Sequence, residues 1–224
     1  MSESGQAAYL QAMEIPVWIN KTTQQENPSP QTAISVNDLN WEQLADRVKQ
    51  CQQCELSRSR QQTVFGTGDL QAELMIIGEA PGAEEDRQGQ PFVGRAGQFL
   101  TNMLQAIGLD RTQVYIANIL KCRPPSNRDP QPTEVIACSD YLNRQIALIQ
   151  PRLILSVGGV SAKNLLQTDQ PVGRLRGKIH QYKATQTDLI VTYHPAYLLR
   201  RPEEKSKTWK DLQQVMSHLS HTAV

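Results

Sequence analysis

Leu74-Met75-Ile76-Ile77-Gly78-Glu79-Ala80-Pro81-Gly82 runs from four apolar residues straight into a loop of glycine and proline. A run that short, bounded by turn formers, is strand-length. Its lack of polar alternation marks a strand covered on both faces. Residues 114–119, 153–157 and 189–192 read the same way. Stretches with helical spacing alternate with them, at 96–107, 133–149, 160–166 and 203–219, and Pro132 and Glu134 are start signals for the second of these. Another helix precedes the first strand, where Trp41, Leu44, Ala45 and Val48 recur at helical spacing and Asn37 or Asp38 stands where a cap is needed. Alternating strands and helices predict an α/β fold: a three-layer α/β/α sandwich on a central four-stranded, mainly parallel sheet. A short extra strand or loop is expected within 177–182.

This layout sets where chemistry is expected. In open parallel sheets, ligands bind beyond the carboxyl ends of the strands. Gly78–Gly82 follows the first strand, Asn118 ends the second, Gly158-Gly159 follows the third and His194-Pro195 the fourth. All four polar segments are expected on one rim.

Residues 1–36 are rich in Gln, Asn, Ser, Thr and Pro, with Pro28 and Pro30 close together. They read as a flexible extension, with an apolar patch at Val17, Trp18 and Ile19 that offers a docking point, ahead of one domain over 37–224. No apolar run is long enough to span a bilayer, and the first twenty residues carry neither a basic start nor a continuous apolar stretch. A cytoplasmic protein is expected, in which thiols stay reduced. The formal net charge of +1 does not advertise a nucleic-acid binder, so DNA contact would have to come from local basic clusters.

The chain has four cysteines. Cys51 and Cys54 form a pair that can grip a metal from one turn, while Cys122 and Cys138 are further apart. A zinc site usually shows a second tight pair or a histidine pair. Four thiolates can also hold a 4Fe–4S cluster. On spacing alone, a cluster, a zinc site and plain core cysteines all stay open. Lys121, Arg123 and Arg128 stand near Cys122, either to offset a cluster's charge or as a solvated basic face.

Gly78-Glu-Ala-Pro-Gly-Ala-Glu-Glu-Asp86, Gly89-Gln-Pro-Phe-Val-Gly94, Asn118-Ile-Leu-Lys-Cys-Arg-Pro-Pro125 and His194-Pro195 occur in this order. With the four cysteines, this ordered set resembles the family 4 uracil-DNA glycosylases, the iron–sulfur type, over about residues 40–219. Each motif alone is weak; the set is specific. The resemblance implies a 4Fe–4S cluster on Cys51, Cys54, Cys122 and Cys138, and a monofunctional hydrolase that removes uracil from single- or double-stranded DNA and leaves an abasic site. It implies a monomer with no membrane partner.

The same resemblance implies the pocket. Phe92 matches the ring that stacks on uracil, Asn118 the amide that reads its edge, and His194 the group that stabilises the departing base. Gly78, Glu79 and Ala80 match the loop that holds the water. Ala80 cannot act as a base, which leaves Glu79, Glu85 and Asn127 as the residues to orient water. The run Glu84-Glu85-Asp86 reads equally as a solvated acidic turn. Gly82 leaves open how thymine is excluded. Tyr197, Leu198 and Leu199 are wedge candidates, with Leu198 or Leu199 preferred. Arg200 and Arg201 follow as DNA contacts, with Lys205, Lys207 and Lys210 beyond them. Arg174, Arg176 and Lys178 form a second basic cluster. The helix starts at 94–97 and 158–161 are candidate phosphate sites.

Three other readings compete. A non-catalytic iron–sulfur module that binds uracil-containing DNA is the main alternative, with Ala80 its best argument. A subgroup that traps DNA through a histidine after the second strand is disfavoured, since 123–131 contains none. A dinucleotide-binding fold lacks its G-x-G-x-x-G spacing at 78–82.

Overall fold

The structure is a computed structural model that describes Ala12, Met13 and residues 35–220. The expected docking patch at Val17, Trp18 and Ile19, and Pro28 and Pro30, lie outside the described residues. Within the described residues, 35–220 form one compact unit.

Strands β1 (Thr67–Gly68), β2 (Leu74–Gly78), β3 (Tyr115–Asn118), β4 (Leu153–Val157), β5 (Ile179–Tyr182) and β6 (Thr187–Thr192) form one sheet in the order β1-β3-β2-β4-β6-β5. The inner four are parallel, with Gly78 opposite Asn118 and Ile76 opposite Leu155. Every residue of β2, β3 and β4 is buried, as a sheet covered on both faces requires.

The expected four-stranded sheet is therefore six-stranded. Both additions are antiparallel edges. β5 falls within 177–182, where a short strand or loop is expected. β1 carries no apolar alternation to betray it, being two residues long. Gly68 in it has φ +128°, and a Cβ there would lie 1.8 Å from the Val114 carbonyl oxygen, so only glycine lets this edge pair.

Helices cover both faces. On one lie α1 (Trp41–Lys49), the short α2 (Leu56–Ser59), α5 (Pro132–Ile149), α6 (Gly159–Leu166) and the short α7 (Val172–Leu175). Leu44, Val48, Tyr141, Ile146 and Leu165 from this layer pack with Met75, Ile77 and Ile154. On the other lie α4 (Arg95–Gln105), α8 (Pro195–Arg200) and α9 (Lys205–Ser220), whose Leu100, Leu104, Leu198, Leu212 and Val215 pack with Leu74, Ile76 and Leu155. Alternate residues of one strand thus feed opposite cores, which is the period of two at work. Helix α3 (Ala83–Gln88) stands on the loop after β2.

The start signals are partly corrected. Pro132 opens α5, and Gln131 and Glu134 form its capping box, as expected for that helix. α1 is capped by Asn40, not by Asn37 or Asp38: its Oδ1 accepts from the Gln43 amide at 2.9 Å, while Val36–Asp38 forms a separate 3₁₀ turn. Among the described residues no helix is long and apolar enough to cross a membrane.

Candidate active site

Four strand ends meet at one rim, as the layout predicts. The Ile119 amide donates to the Gly78 carbonyl at 3.0 Å and Leu120 to that of Glu79 at 3.0 Å, so the loops after β2 and β3 leave the sheet together. Gly78 is needed here for closeness rather than flexibility. A Cβ on it would lie 2.5 Å from Asn118 Oδ1 and 2.5 Å from Phe92 Cζ. Both side chains therefore lean over a bare patch of backbone.

Phe92 is buried, with φ 53°, a left-handed conformation that costs a bulky residue. Its surroundings hold it there. Glu85 Oε1 accepts from the Val93 and Gly94 amides, each at 3.0 Å. Arg111 donates to the carbonyls of Phe92 at 3.1 Å and Pro91 at 2.8 Å. Gly97 lets α4 pass against the turn, where a Cβ would sit 1.7 Å from the Phe92 oxygen. The Phe92 ring lies 5.7 Å from the His194 ring, tilted by 32°.

His194 caps α8, its Nδ1 accepting from the Ala196 amide at 3.1 Å. That bond assigns the proton of the neutral ring to Nε2. Burial, and then the Arg200 guanidinium, lower its pKa to about 4, with Glu85 opposing them. The imidazole is neutral near pH 7.

A cavity of about 540 Å³ lies between these groups, lined by Glu79, Ala80, Gly82, Glu85, Phe92, Ala96, Asn118, Asn127, His194, Ala196 and Arg200. Asn118 Oδ1 is buried here with no hydrogen-bond partner. Burial, and then Asp129, raise the pKa of Glu79 to about 7. Asn127 Oδ1 accepts from Arg123 Nε at 2.8 Å, with Asn127 at φ 53°. The three consecutive acids part ways. Glu84 is exposed and paired with Arg87. Glu85 reaches the cavity. Asp86 is buried and accepts from the Gln61 amide at 2.9 Å, so the run is no solvated turn.

Several DNA-contact expectations change. Leu198 is fully buried, packed in the core that α4, α8 and α9 share with the sheet, so it cannot serve as a wedge without leaving that core. Leu199 is half-buried and Arg200 exposed beside the cavity, while Arg201 is exposed and pairs loosely with Glu203 at 3.6 Å. Tyr197 stacks on Tyr193 at 5.0 Å. Arg176 is no free phosphate contact, because it grips the buried Asp211 through Nε at 3.1 Å and Nη2 at 2.8 Å. Lys207 pairs with Glu204, and Lys205 lies 5.0 Å from the centre of the Phe99 ring.

The cysteines converge on a separate recess. Cys51 and Cys54 lie between α1 and α2, Cys122 in the loop after β3, and Cys138 in α5. All four line one recess with Leu56, Leu120, Lys121 and Tyr141. Arg60 Nη1 donates to Cys122 Sγ at 3.0 Å, and the Lys121 amide donates to Cys138 Sγ at 3.3 Å. Burial pushes the Cys138 thiol up to about 12, against the pull of Lys121, and also raises Cys122. Among the described residues, no group of three or more His, Cys, Asp and Glu side chains is arranged to hold a metal ion. The four sulfurs share a recess rather than a ready-made cage.

Residues 65–213 match the family model of the uracil DNA glycosylase superfamily. The chain belongs to that superfamily. It is 42% identical to a type-4 uracil-DNA glycosylase of Pyrobaculum aerophilum, over 78% of this chain and 92% of that one. It is equally 42% identical to the type-4 enzyme of Archaeoglobus fulgidus over the same shares. The type-4 enzyme of Thermotoga maritima is 41% identical over 70% of this chain and 82% of its own.

In this superfamily member the sequence left some site residues unseen. Arg60 lies outside every motif, and nothing in its neighbours signals a bond to a cysteine 62 positions away. Of the three basic residues near Cys122, Lys121 alone is buried in the recess; Arg128 pairs with Glu134 and Arg123 with Asn127. Gly158, at φ +102°, puts its would-be Cβ 3.0 Å from that of His194, so its absence of a side chain seats the histidine.

Proposed function

We propose that the chain excises uracil from DNA by hydrolysing the N-glycosidic bond, and that the cavity at the sheet's rim is where it does so. One observation carries the assignment to this cavity: Asn118, whose buried Oδ1 has no hydrogen-bond partner, lines it together with Phe92 and a neutral His194. An unsatisfied buried acceptor costs about 1–3 kcal/mol unless a ligand fills it. Uracil offers the matching donor in its N3–H.

A base in a duplex is out of reach, so the nucleotide is flipped out or met in a single strand. Uracil then stacks on Phe92. Asn118 accepts from N3–H and donates to O4. Cytosine inverts that pattern, with an amino donor at position 4 and an acceptor at N3. As the bond to the sugar breaks, charge builds on O2 of the leaving base, and His194 Nε2–H stabilises it. A neutral donor suits this step because its proton stays on the ring. Ala80 contributes no base. Glycosidic cleavage passes through an oxocarbenium-like state, so a water oriented by Glu79 suffices. Asn127 is the weaker candidate for that task, since its oxygen is committed to Arg123. Among the described residues, none of the cavity's lining side chains is a lysine.

Glu85 combines two roles. Its Oε1 fixes the Phe92 turn, and its Oε2 lies 2.7 Å from where a Gly82 Cβ would be. The space that Gly82 leaves open is thus taken by a carboxylate, which crowds a 5-methyl group. On the DNA side, Leu199 and Arg200 remain as wedge and phosphate contact, with Arg201 next to them.

Cys51, Cys54, Cys122 and Cys138 would hold a 4Fe–4S cluster. The donor set fits: four thiols in one recess, N–H···S bonds on two of them, and a buried Tyr141 beside Cys51. When bound, the cluster supplies a crosslink rather than a chemical step, tying α1, the loop after Asn118 and α5. The non-catalytic alternative explains the same recess but leaves the neutral, donor-ready His194 without a purpose.

The test is an oligonucleotide with one uracil, treated with alkali after incubation. Strands that break at the uracil only after alkali support hydrolysis; strands that stay intact remove it.

A further inference from the structure

Lys121 is only 1% exposed, and both acceptors of its ammonium group are neutral amide oxygens: the Asn118 carbonyl at 3.0 Å and Gln145 Oε1 at 2.6 Å. A buried cation served only by neutral groups is expensive. Cys122 is the next residue in the chain, and Cys138 Sγ accepts from the Lys121 amide at 3.3 Å.

Every polar group of Lys121 is engaged. Its carbonyl accepts from the Val64 amide at 2.8 Å. Gln145 is fully buried and is itself anchored, its Nε2 donating to the Phe65 carbonyl at 3.0 Å and the Tyr115 hydroxyl at 3.2 Å. The far end of this chain of bonds is the backbone of Asn118, at the last ladder pair of β3. The same residue lines the cavity.

We propose that Lys121 is a positioning residue that couples the cysteine recess to the uracil reader. Its backbone amide is bonded to Cys138, one of the four recess cysteines, and its side chain pins the Asn118 carbonyl. This rests on the uracil and cluster reading above. It goes further in naming one residue as the link between the two sites.

The test uses the full chain, purified with iron, carrying Lys121→Met. This near-isosteric change removes the ammonium but leaves the backbone bond to Cys138. Three quantities are compared with the parent: steady-state KM and kcat on a uracil oligonucleotide, amide exchange at Ile119 and Leu120, and the rate at which a chelator strips iron. The expected result is a KM raised roughly tenfold or more, faster exchange at both amides, and faster iron loss. A merely structural lesion lowers the active fraction, so a fall in kcat at unchanged KM overturns the proposal. So does a variant that matches the parent in all three. Should Lys121→Met fail to fold, Gln145→Met decides. It removes the ammonium's second acceptor from outside the motif, and an unchanged KM and exchange pattern there overturns the link. A parent protein that releases no uracil, or carries no iron, would instead sink the functional reading beneath it.

Discussion

His194 Nδ1 accepts the amide hydrogen of Ala196 at 3.1 Å, two residues ahead in the same turn. This local bond dictates the tautomer and leaves Nε2–H for the cavity. His194→Ala should therefore lower kcat by roughly 10²–10³-fold, the loss typical of one oxyanion donor, with a smaller change in KM. The pKa near 4 places any charge on the ring well below neutral pH. Because folding lowers this pKa, the unfolded chain takes up the proton first as pH falls. His194 thus subtracts stability between about pH 6.5 and 4. Stopped-time assays of the variant check the first statement. A His194→Ala enzyme with unchanged kcat would remove the histidine from the reaction.

Glu79 titrates in the opposite sense. Burial and Asp129 raise its pKa to about 7, so it is largely protonated below neutrality and becomes a water-orienting carboxylate above it. The kcat/KM profile of the free enzyme should rise with pH through a midpoint near 7. Asp129→Asn should move that midpoint down, and Glu79→Gln should abolish the rise. The same shift makes Glu79 cost stability as pH climbs from 4.5 to 7. A flat profile across neutrality would exclude Glu79 as the group that orients water.

Glu85→Ala opens the space beside Gly82 and frees the Val93 and Gly94 amides that hold the Phe92 turn. Uracil excision should fall as stacking loosens. The ratio of thymine to uracil excision should rise, by roughly tenfold if one methyl clash is relieved. Parallel assays on matched uracil and thymine oligonucleotides give the ratio directly. An unchanged ratio would mean that thymine is excluded elsewhere in the cavity.

Cys51→Ala and Cys138→Ala each remove one corner of the recess that links α1, the loop after β3 and α5. Both variants should lose iron, sulfide and visible absorption, and melt at a lower temperature than the parent. Elemental analysis of the parent decides the cofactor: zinc without iron would defeat the cluster while leaving the fold intact.

Much of this was legible in the chain, and the reasons are physical. The inner strands announced themselves because both faces are buried, so β2, β3 and β4 are nearly all apolar. The motif residues Glu79, Glu85, Phe92, Asn118, Asn127 and His194 all meet at one cavity because strand ends in a parallel sheet must share a rim. What stayed hidden depends on three-dimensional neighbours. β1 has two residues and no pattern. Leu198 looks like a wedge by its place after His194-Pro195, yet a turn of helix carries it into the core. Arg176 looks like a surface cation until Asp211, 35 residues on, is seen beneath it. Lys121 reads as one of three basic residues near Cys122, and only burial separates it from Arg123 and Arg128.

Free base is the most direct readout of uracil excision at this cavity. The parent protein and Asn118→Ala are each incubated with a single-uracil oligonucleotide, and the released base is quantified by chromatography alongside alkali-labile sites. The parent should release one uracil per abasic site and no base from a matched cytosine substrate. Asn118→Ala should lose most of this release while keeping its iron absorption. Uracil release that is unaffected by Asn118→Ala, or no release by the parent, would contradict excision at this cavity.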